Sequence, residues 1–136
     1  MTHTPQQIQH TLSQLQAHIH PTGAQLIAVS KHQPLPALHA AYQAGQRHFG
    51  ESRLQELQQK HPHMPPDTRW HFIGHLQTNK VKALLPLIHL IHTIDSPRLM
   101  QARLSLLNIN PTVSTSFKPS YFPYYFIIGE KLKKSL

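Results

Sequence analysis

The sequence predicts a parallel α/β fold. Short apolar segments at 25–30, 47–50, 69–73 and 88–94 read as strands, stretches with helical spacing or helix caps lie between them, and Gly or Pro marks most junctions. Such alternation builds βαβ units with right-handed crossovers on a parallel sheet. At 136 residues the chain has the size of one ordinary domain. Two architectures fit, an open doubly wound sheet or part of a (β/α)₈ barrel, and periodicity does not separate them. No Gly-x-Gly-x-x-Gly or Walker-type loop follows a strand, which speaks against a nucleotide-binding Rossmann sheet.

The first helix opens on a capping box, with Thr4 as N-cap, Pro5 at the first helical position and Gln7 facing back. Ile8, Leu12, Leu15 and Ile19 then form an apolar stripe. Pro21-Thr22-Gly23 ends the helix, and Gln25–Ser30 reads as a short buried strand. Prolines start a second helix over 34–44, which Gly45 stops. Arg47–Gly50 is the second strand, and Ser52–Lys60 a third helix with Leu54 and Leu57 inward. A Pro-rich loop leads to the strand Arg69–Ile73, a helix over about 77–85 precedes the strand Ile88–Ile94, and Ser96-Pro97 opens a helix running to about Leu107.

Composition divides the chain in two. All thirteen histidines lie between His3 and His92, whereas six of the ten aromatics fall between Phe117 and Phe126. Serines, threonines and prolines gather in the same late stretch. The expected organisation is a folded unit over 1–105 and a divergent tail over 106–136 that stands outside the fold, as out-of-frame translation would.

The formal charge of +8 arises from scarce acids more than from abundant bases, because charged residues make up only 13% of the chain. With no cysteine, disulfides, thiolate metal sites and cysteine nucleophiles are excluded. No apolar run approaches the ~20 residues of a membrane span, and no basic region joined to an apolar run opens the chain. A cytoplasmic protein is the expectation.

Ligands of parallel α/β folds gather at the carboxyl ends of the strands. There the sequence offers Ser30-Lys31, Gly50-Glu51, Gly74-His75 and Asp95-Ser96. Lys31 has the most chemistry, since a partly desolvated amine can condense with an aldehyde; the plain alternative is a solvated lysine opening a loop. His71 is either a packing histidine or a catalytic one, and Glu51 and Asp95 are a candidate acid–base pair. The pairs His18/His20, His61/His63 and His89/His92 lack the convergent partners of a zinc site and read as compositional bias, so no metal is expected.

Taken together, Leu26–Lys31, Gly45–Glu51, Trp70–Lys80 and His92–Ser96 resemble, in order and spacing, the pyridoxal phosphate (PLP) homeostasis proteins, which are similar to the N-terminal domain of alanine racemase. The resemblance covers about residues 8–104. It implies the first half of a PLP-binding (β/α)₈ TIM barrel, with Lys31 as the Schiff-base lysine and Glu51, Ser52, His71 and Gly74 as further cofactor-binding positions. It also implies a non-catalytic protein holding PLP as a lysine aldimine for cofactor and amino-acid homeostasis. Ser52 departs from the Asn many members carry after Gly-Glu, and 106–136 match nothing in the family. A chain that ends there is expected to lack the phosphate-holding loops after strands seven and eight and to bind PLP weakly. The alternative function is a basic accessory protein binding nucleic acid through Lys80, Lys82, Arg98, Arg103 and the terminal lysines, with Tyr121–Phe126 as a stacking platform; no recognition motif accompanies it.

Overall fold

The computed structural model describes residues 3–94, 114–117 and 125–128. Within them helices α1 (Pro5–Ile19), α2 (Leu35–Gln43), α3 (Leu54–Lys60) and α4 (Val81–Leu84) alternate with strands β1 (Gln25–Val29), β2 (His48–Glu51), β3 (Arg69–Phe72) and β4 (Leu90–Ile94), and two further strands follow, β5 (Ser114–Phe117) and β6 (Tyr125–Ile128). The capping box forms as expected: Gln7 N donates to Thr4 Oγ1 at 3.2 Å, and Thr4 N donates to Gln7 Oε1 at 2.9 Å. Gly45 ends α2's exit at φ 99°, a conformation a side chain disfavours. The helix expected near 77–85 is a 3₁₀ turn, one α-helical turn and a second 3₁₀ turn, because Pro86 stops its continuation. The helix expected from Ser96 lies outside the described residues.

All strands pair parallel, in the order β5-β4-β3-β2-β1-β6. Val29 pairs with Gly50, Gly50 with His71 and His71 with Leu90, so these four residues form one row and share one face of the sheet. On the opposite face Leu26, Phe49, Trp70, Phe72 and Ile91 pack with Leu38, Leu57 and Leu84 of the helices. The Phe49 and Trp70 rings lie tilted, 5.9 Å apart between centroids. Gln46 is buried just before β2, where its Nε2 donates to Leu26 O at 2.8 Å and His48 O at 2.7 Å; this polar tie between neighbouring strands left no mark in the hydrophobic pattern.

The stretch 106–136 does not stand wholly outside the fold. Its segments 114–117 and 125–128 are the edge strands of the sheet: β5 pairs with β4, and β6 pairs with β1 in the register Gln25 to Tyr125 through Ala28 to Ile128. Apolar, β-branched and aromatic residues suit these positions, and an unpaired edge of β1 accepts any such strand. The remainder of that stretch lies outside the described residues.

Candidate functional site

Lys31 follows β1 after one residue, Ser30, within a tight turn. Gln33 N donates to Ser30 O at 3.0 Å, and His32 between them takes φ 61°. Ser30 N donates to Gly50 O at 2.9 Å, which extends the β1–β2 ladder by one residue. Ser30 turns its hydroxyl toward Glu51. Lys31 itself is half-buried.

On the face of Ile27 and Val29, Gly50 is closely covered. A Cβ there would lie 3.1 Å from Ile73 Cδ1 and 3.2 Å from Ile27 Cγ2, so the bare glycine lets the two isoleucines close over it. His71, wholly buried, stands beside it in the same row. His71 Nε2 meets His48 Nδ1 at 2.8 Å and His71 Nδ1 meets His92 Nε2 at 2.9 Å, forming a line of three imidazoles with the His89 ring packed 5.5 Å from that of His71. Burial holds the imidazoles neutral, reinforced at His71 by its imidazole neighbours and at His48 by Arg69: His71 titrates at about 2 and His48 at about 4, and His92 is also lowered. Sequence spacing gave no warning of this cluster, because its members come from β2, β3, β4 and the turn before β4. Among the described residues no group of three or more His, Asp or Glu is disposed to hold a metal ion, and these nitrogens bond to one another instead.

Glu51 stands at the carboxyl end of β2, as its last residue, on the face of Phe49 and wholly buried. Ser30 Oγ and Lys60 Nζ each donate to its Oε1 at 2.7 Å, while its Oε2 is buried without a hydrogen bond. Lys60 also donates to Glu56 Oε2 at 2.8 Å. Burial pushes the Glu51 carboxyl up despite its bonds to Lys60 and Ser30. Burial pushes Glu56 up, but the bonds from Lys60 and the His32 N–H, with the Lys60 charge, together outweigh it and carry the carboxyl down to about 2. The partner expected for Glu51, Asp95, lies outside the described residues.

Ser52 and Gly74 touch through their backbones: a Cβ on Gly74 would lie 2.7 Å from Ser52 Cα and closer still to its carbonyl oxygen. The glycine therefore lets the loops after β2 and β3 meet. A cleft of about 250 Å³ opens beside them, with Ser52, Arg53, Gln77 and Lys80 in its wall. Neither Lys31 nor His71 lines it, and its apolar wall, Phe72 and Leu76, belongs to the helix-side core. The five expected site residues thus fall into three neighbouring groups: Lys31 on its turn, His71 in the imidazole line, and Ser52–Gly74 at the loop contact, with Glu51 beneath the first. Of the basic residues proposed for nucleic acid, Lys80 and Lys82 are exposed and the others lie outside the described residues. No described helix is long and apolar enough to cross a membrane.

Residues 4–112 match the family described as alanine racemase, N-terminal domain. The pyridoxal phosphate homeostasis protein of Schizosaccharomyces pombe is 46% identical over 88 residues, 63% of this chain and 37% of that one. The protein of that name from Vibrio alginolyticus is 40% identical over 111 residues, covering 74% and 48%. Among solved structures, PipY of Synechococcus elongatus with PLP bound superposes with a TM-score of 0.78 at 34% identity, over 94% of this chain and 61% of that chain. Alanine racemase of Enterococcus faecalis, at 17% identity and a TM-score of 0.69, shares the fold. This chain spans between about a third and a half of the length of those curated relatives. The parallel sheet of βα units and the match over residues 4–112 agree, and the chain belongs to the alanine racemase N-terminal domain family, with pyridoxal phosphate homeostasis proteins among its relatives.

Proposed function

We propose that this protein binds pyridoxal 5′-phosphate through Lys31 and serves cofactor and amino-acid homeostasis in the cytoplasm without catalysing a reaction of its own. The observation that carries the reading is the turn around Lys31, where Gln33 N donates to Ser30 O and His32 takes φ 61°, just past the carboxyl end of β1 where ligands of parallel α/β folds gather. The donor set suits the cofactor: a half-buried primary amine at Lys31 to take the aldehyde, and the neutral imidazole of His71 in the row of Val29 and Gly50. Lys31 would hold the group, and PLP would supply an aldehyde for its amine, with water as the other product of the condensation. Gly74 and Ser52 contribute by fixing the neighbouring loops, and Glu51 acts from below the turn rather than by contact. A relative solved with PLP bound supports the choice of ligand.

The test is absorbance on adding PLP, followed by borohydride reduction and peptide mapping. The expected result is a visible-edge band and a single pyridoxyl label at Lys31, both abolished by Lys31→Ala. Label spread evenly over the exposed Lys80 and Lys82 would overturn the reading.

A further inference from the structure

Among the described residues Lys60 is the only buried cation, and it lies under the turn that carries Lys31. From the last position of α3 its Nζ donates to Ser30 O at 2.5 Å, to Glu51 Oε1 at 2.7 Å and to Glu56 Oε2 at 2.8 Å. Glu56 Oε2 in turn accepts the backbone N–H of His32 at 2.8 Å. The residues before and after Lys31 are therefore both bound to one ion cluster. His32 is also the only non-glycine residue with positive φ among the described residues, a conformation that persists where the surroundings impose it.

A buried ion cluster is a poor way to gain stability, because apolar residues of similar volume usually do as well or better. What it does supply is direction, since charged donors and acceptors hold a backbone at fixed distances and angles. Here Ser30 Oγ and the Ser30 carbonyl, on the two sides of one residue, are both engaged. A turn held at both ends leaves its middle residue few backbone conformations.

We propose that Lys60, together with Glu56, is a positioning device for Lys31: it fixes the β1–α2 turn so that the amine is presented to an incoming aldehyde. This rests on the reading of Lys31 given above. Lys60 touches no ligand in this scheme; its own amine is occupied by three acceptors, so Lys31 and not Lys60 is modified.

The experiment compares the full chain with Lys60→Met, Lys60→Arg and Glu56→Ala after brief PLP treatment and borohydride reduction. Its readout is the ratio of label on Lys31 to label on the exposed Lys80 and Lys82, which a general loss of stability in a folded protein does not move. Losing one charged tie is expected to lower that ratio about tenfold in Lys60→Met and Glu56→Ala, with partial recovery in Lys60→Arg. Trp70 fluorescence confirms that each variant is folded. Should Lys60→Met not fold, Glu56→Ala, which keeps the Lys60–Glu51 pair, decides. An unchanged ratio in folded Glu56→Ala, or His32 amide exchange as slow as in the parent chain, overturns the positioning role. Even labelling in the parent chain overturns the Lys31 reading instead, and the exchange measurement still judges the clamp.

Discussion

Gly50 and Gly74 are both glycines at the carboxyl ends of strands, yet they do different things. At Gly74 an added Cβ meets the Ser52 backbone, which has no rotamer to change. Gly74→Ala is therefore expected to cost about 2 kcal/mol or more, read from urea unfolding by the fluorescence of Trp70, the single tryptophan. At Gly50 the added Cβ meets the ends of two isoleucine side chains, which can shift by a few tenths of an ångström. Gly50→Ala should cost less, about 1 kcal/mol, because those side-chain ends can give way. Equal destabilisation by both substitutions would contradict the distinction between backbone contact and side-chain contact. His71 makes a second prediction at this scale. It titrates at about 2 in the fold and near 6.5 when unfolded, so the unfolded chain binds the extra proton. Its contribution is therefore complete above pH 6.5 and is lost as pH falls toward 2, at about 1.4 kcal/mol per unit from this one buried group. His48, depressed to about 4, steepens the loss between pH 6.5 and 4. Unfolding free energies measured from pH 7 to 4.5 should fall accordingly; a flat profile would mean that the imidazole line is solvated.

At the scale of elements, caps and periodicity made α1, β1, α2 and β3 legible because their signals are local. The expected boundaries of β1, α2 and β3 lie within one residue of those observed. Thr4→Ala removes the side-chain half of the capping box and should cost about 1 kcal/mol, seen as a lower thermal midpoint; no change would mean that the first turn frays in solution. The expected β2 also lies within one residue of the observed strand, but here one residue matters. Shifted by one residue, from 47–50 to His48–Glu51, the strand takes in Glu51, whose side chain then falls on the helix side with Phe49. A carboxylate that reads as a candidate acid at a strand end is in fact the buried partner of Lys60. Lys60 itself reads as an ordinary basic residue closing a helix, since no local pattern tells that the helix ends beneath another loop. The imidazole line escaped for the same reason: His48, His71 and His92 are far apart in the chain, and only the parallel register brings their rings together.

For the whole molecule, the sheet is as much a question of edges as of core. β1 and β4 are inner strands of this sheet only because β6 and β5 cover them. The composition break near residue 105 was visible in the sequence, and the family match ends close by, at residue 112. That the later residues include two paired strands was not visible, because a strand added at an edge needs backbone donors and acceptors more than it needs any particular sequence. The pairing has a measurable consequence. With β6 present, Ala28 pairs on one side with β2, and the whole of Gln25–Ala28 pairs on the other with Tyr125–Ile128. A chain shortened after residue 117 presents that second side to solvent, so backbone amides in residues 25–28 should exchange faster, while those of β3, two strands further in, keep their protection. The freed edge is also a template for another strand, and light scattering should therefore rise with concentration in the shortened chain but not in the full one. Unchanged exchange in residues 25–28 would mean that β6 does not pair with β1 in solution, and β1 would then be an edge strand of the native protein, with Lys31 at the open rim of the sheet.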